Sequence, residues 1–225
     1  MTGKTKRRKN CTYAFWGRTG QNSCGWTFAE DKEKRVKIEN FNDYPIRARV
    51  AYAIMCCERY VVAVYPELDM RPLSHLMWHI VDGSESVDNA SYKCSENIPK
   101  YLCNYNTYED FCGGLHPYTS EEEFYFFKQL LFKCKDDADL EKMMKNIYDI
   151  PMDFAYTSIP PLCDYPASLD YLQQINDILE QHRIELPDFN LLAQYAVSEM
   201  SPEKFKRYGW FGEPIQPQGL SIYLT

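Results

Sequence analysis

Residues 42–66 have the sequence NDYPIRARVAYAIMCCERYVVAVYP and decide the fold class. Asn42 and Asp43 are typical helix-capping residues, and Pro45 follows near the first helical position. The apolar residues then recur at spacings of three and four: Ile46, Val50, Ala53, Ile54, Cys57, Val61 and Val64. Because proline cannot continue a helix, Pro66 ends the pattern. The segment predicts one long amphipathic helix.

Helical patterns continue towards the C-terminus. Arg71-Pro72 opens a shorter helix, with Gly83 as its stop signal. Residues 86–103 are compatible with a third helix, which Pro99 weakens. Thr119 or Ser120, followed by three glutamates, has the form of a capping box.

Further helix signals follow the capping box. A helix opens at residues 136–139, and Pro151 is expected to kink or break it. Another begins at residues 168–170, and two short helices are expected near 188–198 and 201–208. Only residues 220–224 alternate like a strand. We therefore predict an all-α (mainly α) fold: a single helical domain of about seven to nine helices with a weakly structured N-terminal tail.

Charge divides the 225-residue chain at residue 35. Residues 1–35 carry a net charge of +6 and lack an apolar period, whereas residues 36–225 carry −13. We interpret 1–35 as a basic, weakly structured extension and 36–225 as an acidic helical domain. The extension is interpreted as a solvated tail rather than a nucleic-acid-binding arm. A further hypothesis is that the extension is not native. Val36 can be encoded by GTG, a bacterial start codon, and Lys32-Glu33 can be encoded by AAGGAG, which has the form of a ribosome-binding sequence at a suitable distance before it.

The sequence is typical of a cytoplasmic protein. No apolar run approaches the ~18–20 residues that cross a bilayer. Neither an apolar region nor a cleavage site follows the basic residues 4–9, so a secretory signal is not predicted. The nine cysteines include no C-x-x-C pair, and most are expected to be free, buried thiols.

Few residues suggest catalysis. His75 and His79 have the i, i+4 spacing of zinc ligands, but Leu76, Met77 and Trp78 between them favour packing. Cys112 and His116 could form a nucleophile and base, although a turn explains the segment better. We expect no enzyme activity and no cofactor; a small enzyme with a His/Cys site stays as the alternative.

Acidic clusters bordered by tyrosines predict a protein interface. The predicted partner-binding residues are Glu109, Asp110, Tyr118, Glu121, Glu122, Glu123, Tyr125, Asp136, Asp137 and Asp139. Tyrosines beside carboxylates are common in interfaces, and an acidic field attracts a basic partner while it repels nucleic acid and acidic membranes. The aromatic residues near these acids also include Tyr105, Tyr108 and Phe111. The alternative interpretation is a solvated acidic helical surface whose aromatic residues belong to the core.

Four segments carry a family resemblance: Ala48–Tyr60 with the Tyr-Pro that follows, Ala155–Pro160, Ser168–Leu172, and Gly209-Trp210-Phe211-Gly212 ahead of Leu220-Ser221. Together they make residues 36–225 similar to helical immunity proteins, the cytosolic antidotes of bacterial polymorphic toxin and contact-dependent growth inhibition systems. The resemblance implies tight, stoichiometric binding of a cognate toxin domain. Many such toxins are basic nucleases, whose cleft an acidic inhibitor can cover. An acidic helical adaptor with another basic partner is the remaining alternative.

Deleting residues 1–35 is expected to leave the melting temperature nearly unchanged, because tertiary packing requires an apolar face that these residues lack. Thermal unfolding of the full and shortened chains, followed by circular dichroism, measures this. A loss of several degrees would mean that aromatic residues such as Trp16 and Trp26 dock onto the domain.

Overall fold

The computed structural model describes residues 37–113, 115, 117–156 and 166–224, and this part of the chain is all-helical, as predicted. Its α-helices are α1 (Ile46–Val64), α2 (Arg71–Asp82), α3 (Val87–Glu96), α4 (Pro99–Cys103), α5 (Tyr108–Cys112), α6 (Glu121–Leu131), α7 (Ala138–Tyr156), α8 (Pro166–Gln181) and α9 (Pro202–Tyr208). Short 3-10 helices span Ile38–Asp43, Phe132–Cys134, Phe189–Tyr195, Val197–Glu199 and Gly209–Phe211. The predicted tail and His116 lie outside the described residues.

The central helix is α1, and it is buried on nearly every side. The eight consecutive residues 50–57 are all buried, so the predicted amphipathic pattern understates its burial. The small side chains of Ala48, Ala51 and Ala53 allow neighbouring helices to pack closely, so α1 is also buried on sides outside the predicted apolar stripe. Arg49 and Glu58 are buried as well, so α1 lies in the core although it is not apolar all round.

The helices form two layers around one continuous core. Helix α1 packs against α2, α7 and α8, and α3 packs against α2 and α7. A smaller layer consists of α4, α5 and α6, in which α6 contacts both of the others. Because α6 buries only the stripe formed by Phe124, Phe127 and Leu131, its opposite side is left outward.

Several predicted boundaries are confirmed. Gly83 ends α2 with φ +79°, in the left-handed region where glycine is favoured. Ser120, rather than Thr119, caps α6 in a full capping box with Glu123. By contrast, the single third helix expected over residues 86–103 is wrong: the segment forms two helices, because α3 ends at Glu96 and α4 starts anew at Pro99.

Pro151 neither ends α7 nor divides it. The helix runs on to Tyr156, and Pro151 is buried together with Ile150 and Met152. Proline lacks a backbone N–H, so one hydrogen bond of the helix is missing at this point. The packing of these three side chains against the core keeps the helix continuous despite that loss.

The expected cap of α1 is wrong in detail. Asn42 and Asp43 lie in a preceding 3-10 helix, and the N-cap of α1 is Pro45, which has no side chain to accept a hydrogen bond. Asp43 instead accepts hydrogen bonds from the backbone N–H and the hydroxyl of Ser198. Its side chain thus anchors a distant segment.

Glu58 lies on α1, is fully buried, and joins α1 to α2 and to the C-terminal segment. Its carboxylate accepts hydrogen bonds from the Ser74 hydroxyl (2.5 Å) and Trp78 Nε1 (2.8 Å) of α2. It also accepts from the Ser221 hydroxyl (2.7 Å) and the Ile222 N–H (3.0 Å). The strand-like residues 220–224 are therefore held by a side chain, and they form no strand.

None of the helices in the described ranges is both long and apolar enough to cross a membrane.

Glu58→Ala is expected to lower the free energy of unfolding by about 3–5 kcal/mol, because it leaves four donors without an acceptor in the core. Glu67→Ala removes a half-exposed carboxylate 3.8 Å from Lys133 Nζ and should change it by less than about 0.5 kcal/mol. Urea unfolding measures the change in the free energy of unfolding for both variants. Equal changes would contradict the role of Glu58 in joining α1 to α2 and to the C-terminal segment.

Candidate functional site

The start of α6 is fixed to α3 by a set of polar contacts. Glu96 of α3 accepts hydrogen bonds from the backbone N–H of Tyr118 (3.1 Å) and Thr119 (2.8 Å). Asn97 donates to the Thr119 hydroxyl at 2.8 Å. These contacts give the first turn of α6 a defined position relative to α3.

Glu123 belongs to this fixed frame. Its carboxylate lies 2.6 Å from Lys93 Nζ and accepts from the Ser120 N–H at 2.9 Å. Partial burial opposes its ionisation, but the contacts with Lys93 and Ser120 outweigh burial and lower the pKa of Glu123. Glu123 is one of the predicted binding residues, but its carboxylate is used within the fold to fix the start of α6.

Asp137 and Asp139, two of the three predicted aspartates at residues 136–139, also make contacts within the fold. Asp137 caps α7 by accepting from the N–H groups of Asp139 and Leu140, each at 2.9 Å. It also accepts from the hydroxyls of Tyr60 (2.9 Å) and Tyr65 (2.6 Å) at the end of α1. Asp139 lies 2.8 Å from His182 Nε2 on the residue that follows α8.

Five predicted carboxylates are exposed and make no side-chain hydrogen bond or ion pair with other described residues: Glu109, Asp110, Glu121, Glu122 and Asp136. Four of them lie on α5 or in the first turn of α6. These two helices pack together through Phe111 and Phe124, whose ring centroids are 5.0 Å apart. Asp136 lies beyond the other end of α6, which is about 16 Å long.

The predicted aromatic residues divide between surface and core. Tyr118 and Tyr125 are almost half exposed. Tyr118 stacks on Tyr92, with ring centroids 5.2 Å apart. By contrast, Phe111 is buried and Tyr108 packs against the core.

Sequence reasoning missed two exposed aromatic residues of the same region, Phe126 and Phe132. They are 50% and 55% exposed and follow Tyr125 by one and seven residues. For Phe126 the available signal was the spacing itself: Phe124, Phe127 and Leu131 already fill the buried stripe of α6, so Phe126 between them must face outward. Phe132 lies beyond the stripe, at the start of the next 3-10 helix, and the spacing gives no signal for it.

The histidine pair does not form a metal or catalytic centre with its described neighbours. His75 and His79 lie on the outer face of α2, with ring centroids 4.5 Å apart, while Leu76, Met77 and Trp78 are buried. No group of three potential ligands is close enough to hold a metal ion in the described part of the chain.

His79 has both a serine and an aspartate nearby, but their geometry is not that of a catalytic triad. Its Nδ1 atom lies 2.6 Å from the Ser84 hydroxyl and 3.2 Å from Asp82 Oδ2. In a triad the aspartate and the serine contact different ring nitrogens. The arrangement instead closes the end of α2.

The described cysteines are free thiols, and those in the core are poor nucleophiles. Burial raises the pKa of Cys94 to about 12 and that of Cys134 to about 11. Burial likewise raises the pKa values of Cys56 and Cys57. A nucleophilic cysteine requires the opposite shift. Cys112 is only partly buried, and its proposed partner His116 lies outside the described residues.

A surface recess of about 580 Å³ lies between the first 3-10 helix and residues 189–199. Its lining consists of Asn40, Asp43, Tyr44, Phe189, Ala193, Gln194, Ala196, Ser198 and Glu199. These described lining residues include no imidazole or thiol, which the alternative enzyme hypothesis needs.

Comparison of the chain with protein-family models, with curated proteins and with solved structures gave no match.

Asp137→Ala is expected to cost about 2–4 kcal/mol of stability, because it removes a helix cap and the acceptor for two tyrosine hydroxyls. Asp136→Ala is the matched control, since the neighbouring carboxylate is exposed and should contribute less than about 0.5 kcal/mol. Chemical unfolding of the two variants tests the division between structural and surface acids. If Asp137→Ala left the free energy of unfolding unchanged, Asp137 would again be a candidate for the interface.

Proposed function

We propose that this protein acts in the cytoplasm as an antidote of the immunity-protein type, which binds a basic toxin domain stoichiometrically and thereby blocks it. The observation that carries the proposal is the surface of α5 and α6, where exposed carboxylates adjoin half-exposed aromatic rings. Unpaired carboxylates attract basic groups, and exposed aromatic rings provide contact area.

The charge of the chain supports a basic partner. Residues 36–225 carry a net charge of −13, and such a field accelerates association with a positively charged surface. Toxin nucleases bind phosphate backbones and therefore present basic clefts. An acidic helical surface can occupy such a cleft in place of the nucleic acid.

The resemblance of the four sequence segments to helical immunity proteins supports the biological role. The Gly209–Gly212 segment packs at the start of α1, next to the Ala48–Tyr60 segment. Arg47, the residue before that segment, donates to the Gly212 carbonyl at 3.0 Å, and its guanidinium lies 4.9 Å from the centroid of the Phe211 ring. These contacts explain the Gly209–Gly212 segment by its packing against α1. The resemblance therefore concerns the scaffold rather than a catalytic site.

The test is co-expression with the C-terminal domain of the protein encoded by the adjacent gene. The adjacent domain alone should arrest growth, and this chain should restore it. With purified proteins, inhibition should rise in proportion to added antidote and reach completion at a one-to-one ratio, because each bound complex removes one toxin.

Two results would contradict the proposal. Growth arrest that continues despite expression of this chain, without complex formation, would exclude it as the antidote of that domain. Time-dependent inactivation at far less than one equivalent would favour the alternative of a small enzyme, and His75→Ala with His79→Ala would then locate its site.

A further inference from the structure

The N-terminal half of α6 has an outward face with two kinds of side chain. We call Glu121, Glu122, Tyr125 and Phe126 the α6 N-terminal face. At 100° per residue these four positions fall within an arc of about 140°, opposite Phe124 and Phe127, which are buried. Tyr125 is 46% exposed and Phe126 is 50% exposed.

Each exposed ring of this face rests on a buried ring. Tyr125 packs edge-on against Phe124, with centroids 5.1 Å apart and planes at 77°. Phe126 packs in the same way against Phe127, at 5.3 Å and 76°. Rings that are already held in place lose little conformational freedom on binding, so they are suited to act as interface anchors.

Just beyond the end of α6, in the 3-10 helix Phe132–Cys134, an exposed aromatic ring already has a cation against it. Phe132 keeps helical backbone angles (φ −56°, ψ −36°), and the ammonium group of Lys135 lies 4.6 Å from its ring centroid. On the buried side, Lys128 lies 5.4 Å from the Phe124 centroid. Tyr125 and Phe126 have no such cation among the described residues, although Glu121 and Glu122 beside them favour one.

We infer that the α6 N-terminal face is the anchor of the partner interface and that it receives arginine side chains from a basic protein surface. A guanidinium can stack on Tyr125 or Phe126 while it pairs with the carboxylate of Glu121 or Glu122. This inference rests on the proposed function and narrows it. Asp136 and the cation-covered Phe132 lie outside the anchor.

The face needs neighbours to reach the ~800 Å² per partner of a standard interface. Tyr101 of α4 is 45% exposed and lies 6.0 Å, between ring centroids, from Phe111 of α5. Phe111 in turn contacts Phe124 beneath the face. This continuous aromatic layer supports the anchor and extends the surface towards α4.

The experiment measures binding of the adjacent-gene domain to variants of the full chain. Tyr125→Ala and Phe126→Ala should each weaken binding by about tenfold or more, mainly through faster dissociation. Phe132→Ala is the matched control from the 3-10 helix that follows α6, and it should change affinity less than threefold, because the Phe132 ring is already covered by Lys135. Melting temperatures establish that every variant remains folded.

The contribution of charge is tested with a second matched pair of variants. Glu122→Lys should slow association and reduce its dependence on salt, whereas Asp136→Lys should have a smaller effect. Tyr125→Phe should retain most of the affinity, since the ring is kept.

The partner chemistry is probed separately with octa-arginine and octa-lysine peptides. Octa-arginine should perturb the side-chain NMR signals of Tyr125 and Phe126 more strongly than octa-lysine does. Equal perturbation by the two peptides would overturn the preference for arginine.

The outcomes separate this inference from the proposed function. Tight binding by wild type that both anchor variants preserve would overturn the α6 face and leave the antidote role standing. Equal loss in Phe132→Ala and Phe126→Ala would also overturn it. A wild-type chain that does not bind the domain contradicts the proposed function itself. A free protein that dimerises through Tyr125 and Phe126 would assign the face to self-association instead.

Discussion

The fold depends on satisfying two charged side chains inside its most buried helix. Burying α1 removes Arg49 and Glu58 from water, and an unpaired charge in a core is prohibitively costly. Glu58 is satisfied by α2 and by the C-terminal residues Ser221 and Ile222. Arg49 donates to the Tyr44 carbonyl and, across 119 residues, to the Ser168 hydroxyl at 2.6 Å. Segments distant in sequence are thus required to meet at α1.

The smaller layer of α4, α5 and α6 stands on this frame and presents the surface that we assign to binding. Its carboxylates look alike in sequence but differ in what they contact. Glu123 is tied to Lys93 and the cap of α6, and Asp137 is tied to Tyr60 and Tyr65. Only carboxylates left without such contacts, such as Glu122, are free to attract a partner. The outer face of α6 can therefore change in sequence without disturbing the core, as the proposed binding role requires.

The chemistry of the described residues supports the recognition role that we propose. Its buried thiols have raised pKa values, and its histidine pair lies on an exposed helix face without a third ligand nearby in the described ranges. The polar groups that are well ordered by hydrogen bonds, Glu58 and Asp137 above all, are occupied by structural donors. What remains available is a set of rigidly supported rings beside unpaired acids, which is the composition of an interface.

The sequence by itself determined the helical class and most helix limits, because periodicity, capping residues and glycine stops act locally along the chain. Gly83 and the capping box at Ser120 are such signals. It also pointed to the acidic and tyrosine-rich region of 109–139. Only the tertiary structure decided that α1 is buried on nearly every side, that α7 continues through Pro151, and that Asp137 is structural while Asp136 is exposed. These outcomes depend on which groups meet across the fold, and helical periodicity contains no information about distant partners.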